Sequence, residues 1–295
     1  LVPALLGDGH EVTVVDSFLY GQASLLDCCV SPKLTIIRRD VRDHSAMEPL
    51  IASADAVFPL ACLTGAPLCE RDPDTARAVN HDEVRWLAER LSSQQALIFP
   101  STNSGYGVGE ADIHCDEDTP LRPVSLYGRL KVDLERYLLD RGRCVTFRFA
   151  TLFGTSPRMR LDLLVNDFTY RAVVDRCVVL FEPHFKRNYL HVRDAAAAFR
   201  HTLACYEQMC GRPYNVGLSS ANISKHELCE RIRIHVPGFT FVASDVGKDP
   251  DQRNYIVSNA RIEATGYRPR IDLDAGIKEL LTGYQIIRRN QYSNV

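Results

Sequence analysis

The 295-residue chain carries 35 Lys plus Arg against 37 Asp plus Glu, a balance that provides no basic stripe for nucleic acid. No apolar run reaches membrane-spanning length and no secretory leader is recognisable, so a soluble, cytoplasmic protein is expected. Ten cysteines lie scattered, without a CxxC pair or a Cys/His ligand spacing, which argues for reduced thiols and against zinc.

Taken in order, Leu1 to Leu6 reads as the remainder of a helix and Gly7-Asp8-Gly9-His10 as the turn after it. A strand and glycine-rich phosphate loop ahead of that helix, on the order of fifteen residues, are expected to be missing from the sequence as given. A chain lacking those amides is expected to bind a dinucleotide poorly. Glu11 to Asp16, Lys33 to Ile37 and Asp55 to Leu60 are short apolar runs between polar or helical stretches, the pattern of parallel strands covered on both faces. Val84, Leu87, Ala88 and Leu91 recur at helical spacing between Thr75 and Leu91, and Ala96 to Pro100 reads as the next strand. A helix from Ser125 to Asp140 follows, with Leu126, Leu130, Leu134, Tyr137 and Leu138 on its buried stripe, and then a strand from Cys144 to Phe149. This alternation predicts a Rossmann-type, doubly wound α/β sheet whose ligands gather at the carboxyl ends of its strands. Residues 1–157 are assigned to that domain, with 188–217 rejoining it. Residues 158–187 and 218–295 are assigned to a smaller substrate-binding lobe.

Tyr127 and Lys131 stand four residues apart on the predicted helix, so they share a face. An ammonium beside a phenol favours phenolate, lowering a pKa that is ordinarily about 10 toward neutrality, as a base removing an alcohol proton requires. The hydroxyl of Thr102, at a strand end, can hold the same substrate oxygen, and the set reads as alcohol and ketone redox chemistry. Asp16, closing the first complete strand, can accept from both ribose hydroxyls of an adenine dinucleotide, and its charge repels a 2′-phosphate. Neither Ser17 nor Phe18 offers an offsetting cation, so NAD is favoured over NADP. Asp40 and Val41 are read as flanking the adenine, and Leu60, Ala61 and Cys62 as passing beneath the cofactor.

In that order these residues resemble the extended short-chain dehydrogenase/reductase family that works on nucleotide sugars, and the resemblance covers essentially the whole chain. Tyr127 and Lys131 match its YxxxK signature, and Thr102, four before Tyr106, takes the place of its catalytic Ser or Thr. The segment Arg187-Asn188-Tyr189-Leu190-His191-Val192-Arg193-Asp194 is similar to one whose leading arginine grips the nucleotide diphosphate, a role the resemblance gives to Arg187. Tyr214-Asn215-Val216-Gly217 and Asp249-Pro250-Asp251-Gln252-Arg253 match two further landmarks. They make Arg253 a second phosphate candidate, and Asn166 is placed like an asparagine contacting the same region. The resemblance further implies that Thr102 bonds the sugar oxygen, that Lys131 holds the nicotinamide ribose, and that two helices per subunit build a homo-dimer.

The residues after Thr102 narrow the chemistry. The family's 4,6-dehydratases carry an Asp-Glu pair there as acid and base, whereas Asn103 and Ser104 cannot protonate a leaving hydroxyl. Its 3,5-epimerases carry a cysteine where Ser104 stands, and Cys115 as a substitute has no nearby cation to activate it. Oxidation at sugar position 4 remains, ending in a released ketone or in a 4-epimer. The strings around Asn103, Arg158 to Phe168 and Leu218 to Asn222 most resemble the branch that oxidises a GDP-activated manno-heptose for capsule modification. That branch keeps NADH bound and recycles it with 2-oxoglutarate. A UDP-hexose 4-epimerase and a non-catalytic dinucleotide-binding protein that kept the fold are the other readings.

Overall fold

Strand and helix alternate through the first half of the chain because its apolar runs are short and its helical stripes are separated by turn residues. The computed structural model describes residues 1–107, 114–244 and 254–287. The chain folds into two compact units, the first comprising Leu1–Thr102, Val124–Arg148 and Ala196–Tyr214, the second Asn103–Pro123, Phe149–Ala195 and Asn215–Val295.

In the first unit, strands β1 (Val12–Asp16) and β2 (Leu34–Arg38) pair in parallel, with Asp16 opposite Arg38. Strands β3 (Ala56–Val57) and β4 (Ala96–Thr102) also run parallel, and the sheet continues from β4 through Cys144–Phe149 to Arg212–Val216. β3 is shorter than the run Asp55 to Leu60 suggests. Phe58 and Pro59 lie beyond the ladder, since proline has no N–H to give it. The helix expected over Thr75 to Leu91 is broken into Pro73–Arg77, a π turn over Ala78–Asp82, and Glu83–Arg90. Met47, Ile51, Val84, Leu87, Leu97, Phe99, Leu134 and Leu138 form the core here, each large side chain contributing roughly 1.5–3 kcal/mol by burial.

The helix Leu126–Arg141 begins where the Ser125 hydroxyl accepts from the Gly128 amide at 3.1 Å, and it stops at Gly142, whose φ of 76° is open to glycine. Its buried face carries Leu130, Lys131, Val132, Leu134, Glu135 and Leu138. Two of these are charged. Glu135 is matched by Arg148 at 2.7 Å, both almost wholly buried, the paired arrangement that burial of a charge demands.

The second unit contains a three-stranded sheet in the order Asn222–Ser224, Lys186–His191, Thr151–Phe153. Because Thr151–Phe153 pairs in parallel with Tyr189–His191, this stretch belongs to the second unit and not to the dinucleotide-type domain in which residues 1–157 were placed. Of the segment 188–217 expected to rejoin the first domain, only Ala196–Tyr214 lies in the first unit. Phe153, Leu161, Val165, Tyr189, Leu228 and Ile277 centre the second core. The Asp194 carboxylate ties in the later chain by accepting from the amides of Arg270 and Ile271, each at 3.0 Å. Among the described residues no helix is long and apolar enough to cross a membrane.

Candidate active site

β4 is buried along almost its whole length, and it ends at Thr102, which is 8% exposed. Against that end lies the face of helix Leu126–Arg141 that carries Tyr127 and Lys131. Tyr127 is half-buried and packs on a small cluster of Cys69, Ala76 and Leu130. Lys131 is 3% exposed. Its ammonium donates to the Pro100 carbonyl at 2.9 Å and lies 4.5 Å from the centre of the Phe99 ring. No carboxylate pairs with it among the described residues. The three residues expected to act together thus belong to one unit, and Lys131 is bonded to the strand that delivers Thr102.

Asp16 stands exposed at the end of β1, its Oδ1 accepting from the Phe18 amide at 2.7 Å. Phe18 adopts φ 53°, a left-handed conformation costly for a bulky residue and of the kind that gathers at ligand sites. Asp16 Oδ2 accepts no hydrogen bond among the described residues. The ladder adds what the local sequence hides, since Arg38 is in register with Asp16 and the Arg39 amide donates to its carbonyl at 3.1 Å. Asp40 is held from both sides by Arg42, at 2.9 Å to Nε and 2.6 Å to Nη2, and this hydrogen bonding draws its carboxyl down to about 2. Asp40 is therefore already matched by Arg42, whereas Val41 beside it is half-buried. Leu60 and Ala61 are exposed and Cys62 half-buried.

The loop that follows is fixed by a residue sequence reasoning passed over. Asn80, 1% exposed on the π turn, accepts from the Leu63 amide at 2.8 Å and donates to the Leu63 carbonyl at 2.9 Å. A π turn is often tied to a functional loop, but nothing in the periodicity around Asn80 announces one. Phe99 and Pro100 were passed over as well, because a backbone carbonyl and an aromatic core residue carry no motif.

Of the residues expected to meet the substrate, Thr102 lies in the first unit and Asn103, Ser104, Asn166 and Arg187 in the second. Asn103 and Ser104 form a buried 3-10 turn directly after Thr102. The Asn103 carboxamide, 1% exposed, has neither its oxygen nor its nitrogen hydrogen-bonded. Asn166 is bonded to its own surroundings. Its Oδ1 accepts from the Gly154 amide at 3.0 Å, its Nδ2 donates to the Arg160 carbonyl at 2.7 Å, and its backbone oxygen accepts from the Tyr284 hydroxyl at 2.7 Å. These bonds leave the amide further capacity, a second lone pair on Oδ1 among it, so a diphosphate contact is compatible with them. Arg187 is 5% exposed, on the strand opposite Ile223. Arg253 lies outside the described residues. Burial raises the Cys115 thiol above its usual range, which suits packing and not proton transfer.

A parallel α/β unit in which β4 ends at Thr102 beside the helix that carries Tyr127 and Lys131 defines the class, a dinucleotide-type fold. The model of the NAD dependent epimerase/dehydratase family matches residues 1–217, and the chain belongs to that family. It is 25% identical over 301 residues to UDP-glucuronic acid decarboxylase 1 of Arabidopsis thaliana, covering 97% of this chain and 66% of that one. It thus spans about two thirds of that relative's length. A dTDP-glucose 4,6-dehydratase of an Actinoplanes species is 26% identical, over 94% of this chain and 89% of its own. Among solved structures, the UDP-glucose 4-epimerase of Thermotoga maritima superposes with a TM-score of 0.82 at 22% identity, over 96% of this chain and 94% of that one, a likeness of fold.

Proposed function

We propose that the protein oxidises the 4-hydroxyl of a nucleotide-activated sugar with NAD, and that its substrate is GDP-D-glycero-α-D-manno-heptose, converted to the 4-keto sugar. The observation that carries the reading is the buried Lys131 ammonium, without a carboxylate, one helical turn from Tyr127 and bonded to the strand that ends in Thr102. In this reading Tyr127, as phenolate, takes the proton from the sugar hydroxyl, and Thr102 donates to the same oxygen as it becomes a carbonyl. Lys131 supplies the positive charge that makes phenolate accessible. NAD, when bound, accepts the hydride, so that alcohol and NAD give ketone, NADH and a proton. Asp16 is the residue that would hold the adenine ribose.

Arg187 and Arg253 are proposed for the diphosphate, since guanidinium suits bidentate contact with phosphate oxygens. Recycling of bound NADH by 2-oxoglutarate, which becomes 2-hydroxyglutarate, and assembly as a homo-dimer through the helices near Thr75 to Leu91 and Ser125 to Asp140 belong to the same proposal.

Asn103 and Ser104 provide no carboxyl for expelling a hydroxyl, so dehydration is disfavoured. A UDP-hexose 4-epimerase is the second reading, favoured by the fold-level likeness to a 4-epimerase. It needs the same first oxidation and then returns the hydride to the opposite face. Decarboxylation also begins there, since a uronate oxidised at position 4 is a β-keto acid that loses carbon dioxide. The test is to incubate the full-length protein with NAD and each of GDP-heptose, GDP-mannose, UDP-glucose and UDP-glucuronate, with and without 2-oxoglutarate, and to read products by NMR. A GDP-heptose ketone that accumulates only with the oxoacid is expected. An inverted alcohol without it establishes the epimerase, a pentose from UDP-glucuronate the decarboxylase, and no product under any condition the non-catalytic reading.

A further inference from the structure

Lys131 poses a physical question that its catalytic assignment does not answer. An ammonium at 3% exposure has lost nearly all its hydration, and a protein ordinarily compensates by pairing the charge with a carboxylate. Here no Asp or Glu pairs with it among the described residues. Two neutral groups from consecutive residues of β4 stand in, the Pro100 carbonyl at 2.9 Å and the face of the Phe99 ring at 4.5 Å. A carbonyl dipole and an aromatic quadrupole both attract a cation without cancelling it. A carboxylate in their place would stabilise Lys131 more, and it would also screen the charge from a phenol one turn away.

The local structure favours this arrangement. Phe99 is fully buried in the core under the helix, so its ring is locked. Pro100 has a fixed φ and no N–H, which makes it rare in a strand interior. β3 pairs β4 only at Ala96 and Leu97, so the missing amide costs that ladder nothing.

We propose that Phe99, together with the Pro100 carbonyl, is a positioning element that replaces a counter-ion for Lys131. It keeps the ammonium in place while leaving its field undiminished for Tyr127. The proposal rests on Tyr127 and Lys131 forming the proton-transfer pair, and it names the residue that tunes them.

The test changes the ring's quadrupole while nearly keeping its shape. Phe99 is replaced in the full chain by mono-, tri- and pentafluorophenylalanine, which progressively withdraw electron density from the face. The titration of Tyr127 is followed through its 13Cζ resonance, assigned by its loss in Tyr127→Phe, and needs no turnover. The midpoint is expected to rise stepwise, by roughly half a unit to one unit at full fluorination. The acid limb of the kcat profile should move with it. A midpoint that stays fixed or falls across the series, in proteins with unchanged thermal midpoints, overturns the proposal. A stepwise rise in Tyr127 titration alongside absent oxidation of every sugar nucleotide upholds the positioning role and refutes the proposed reaction, so the two failures are separable. Phe99→Leu, which removes the face outright, should move the midpoint in the same direction, and a shift of opposite sign counts equally against the account.

Discussion

A desolvated ammonium held by a carbonyl and a ring is retained at a cost to the fold, and that cost yields a prediction at Lys131. Lys131→Met replaces the buried charge with an apolar side chain of similar length. The variant should melt no lower than the parent, because removal of an uncompensated charge offsets the lost carbonyl contact. Its activity should still fall by about 10²-fold or more, the usual size of an acid–base contribution, and the acid limb of its pH profile should move up, since phenolate without a neighbouring cation forms at higher pH. Calorimetry and a pH–rate series check both halves. The cysteines give a second expectation. Burial pushes the thiols of Cys69, Cys144 and Cys229 up to about 12, so a rise in pH from 7 to 9 leaves them protonated and unreactive. Native maleimide labelling read by mass spectrometry should therefore find the exposed Cys29 and Cys177 modified at both pH values and those three silent. Labelling of Cys69 at pH 9 would mean that its cluster opens.

Among the elements, the strand Lys186–His191 is fixed in the second unit by a close approach that the sequence marks only with a glycine. A Cβ at Gly217 would meet the Asn188 Oδ1 at 1.5 Å, and Asn188 is itself bonded to the Leu218 carbonyl at 2.8 Å. Gly217→Ala should therefore destabilise the protein by about 1–3 kcal/mol, the range for overpacking a core, measured as a lowered midpoint in urea with an unchanged m-value. Helix Leu126–Arg141 was legible because an apolar stripe and an N-cap serine coincide, and β4 because its run is short, buried and ends in turn residues. The break at Ala78–Asp82 was not, since Val84, Leu87 and Ala88 keep their spacing after it and a π turn leaves no mark on composition. Asn166 shows the limit of likeness in the other direction. Its position in a motif was recognisable, but which groups its amide faces depends on Gly154 and Arg160, and no spacing reveals that. The Lys131 anchor was illegible for a related reason, because its partner is a backbone oxygen 31 residues away.

Over the whole chain, the alternation of strands and helices was enough to specify a dinucleotide-type α/β fold, and the family match over residues 1–217 agrees with it. The order Thr102, Tyr127, Lys131 is what the proposed chemistry rests on, since that proposal depends on residue types at fixed spacing. The division into units was less readable. Thr151–Phe153 follows Cys144–Phe149 almost without interruption yet pairs with Lys186–His191, a long-range choice set by packing. The central claim is that Tyr127, with Lys131 and Thr102, removes the proton of a sugar hydroxyl as hydride leaves for NAD. The most direct measurement is single-turnover formation of NADH absorbance with GDP-heptose, compared between the full-length protein, with its phosphate loop present, and its Tyr127→Phe variant. The account predicts a transient in the parent and a rate lower by about 10²–10⁴-fold in the variant, with equal thermal midpoints. Equal rates in the two proteins would contradict it.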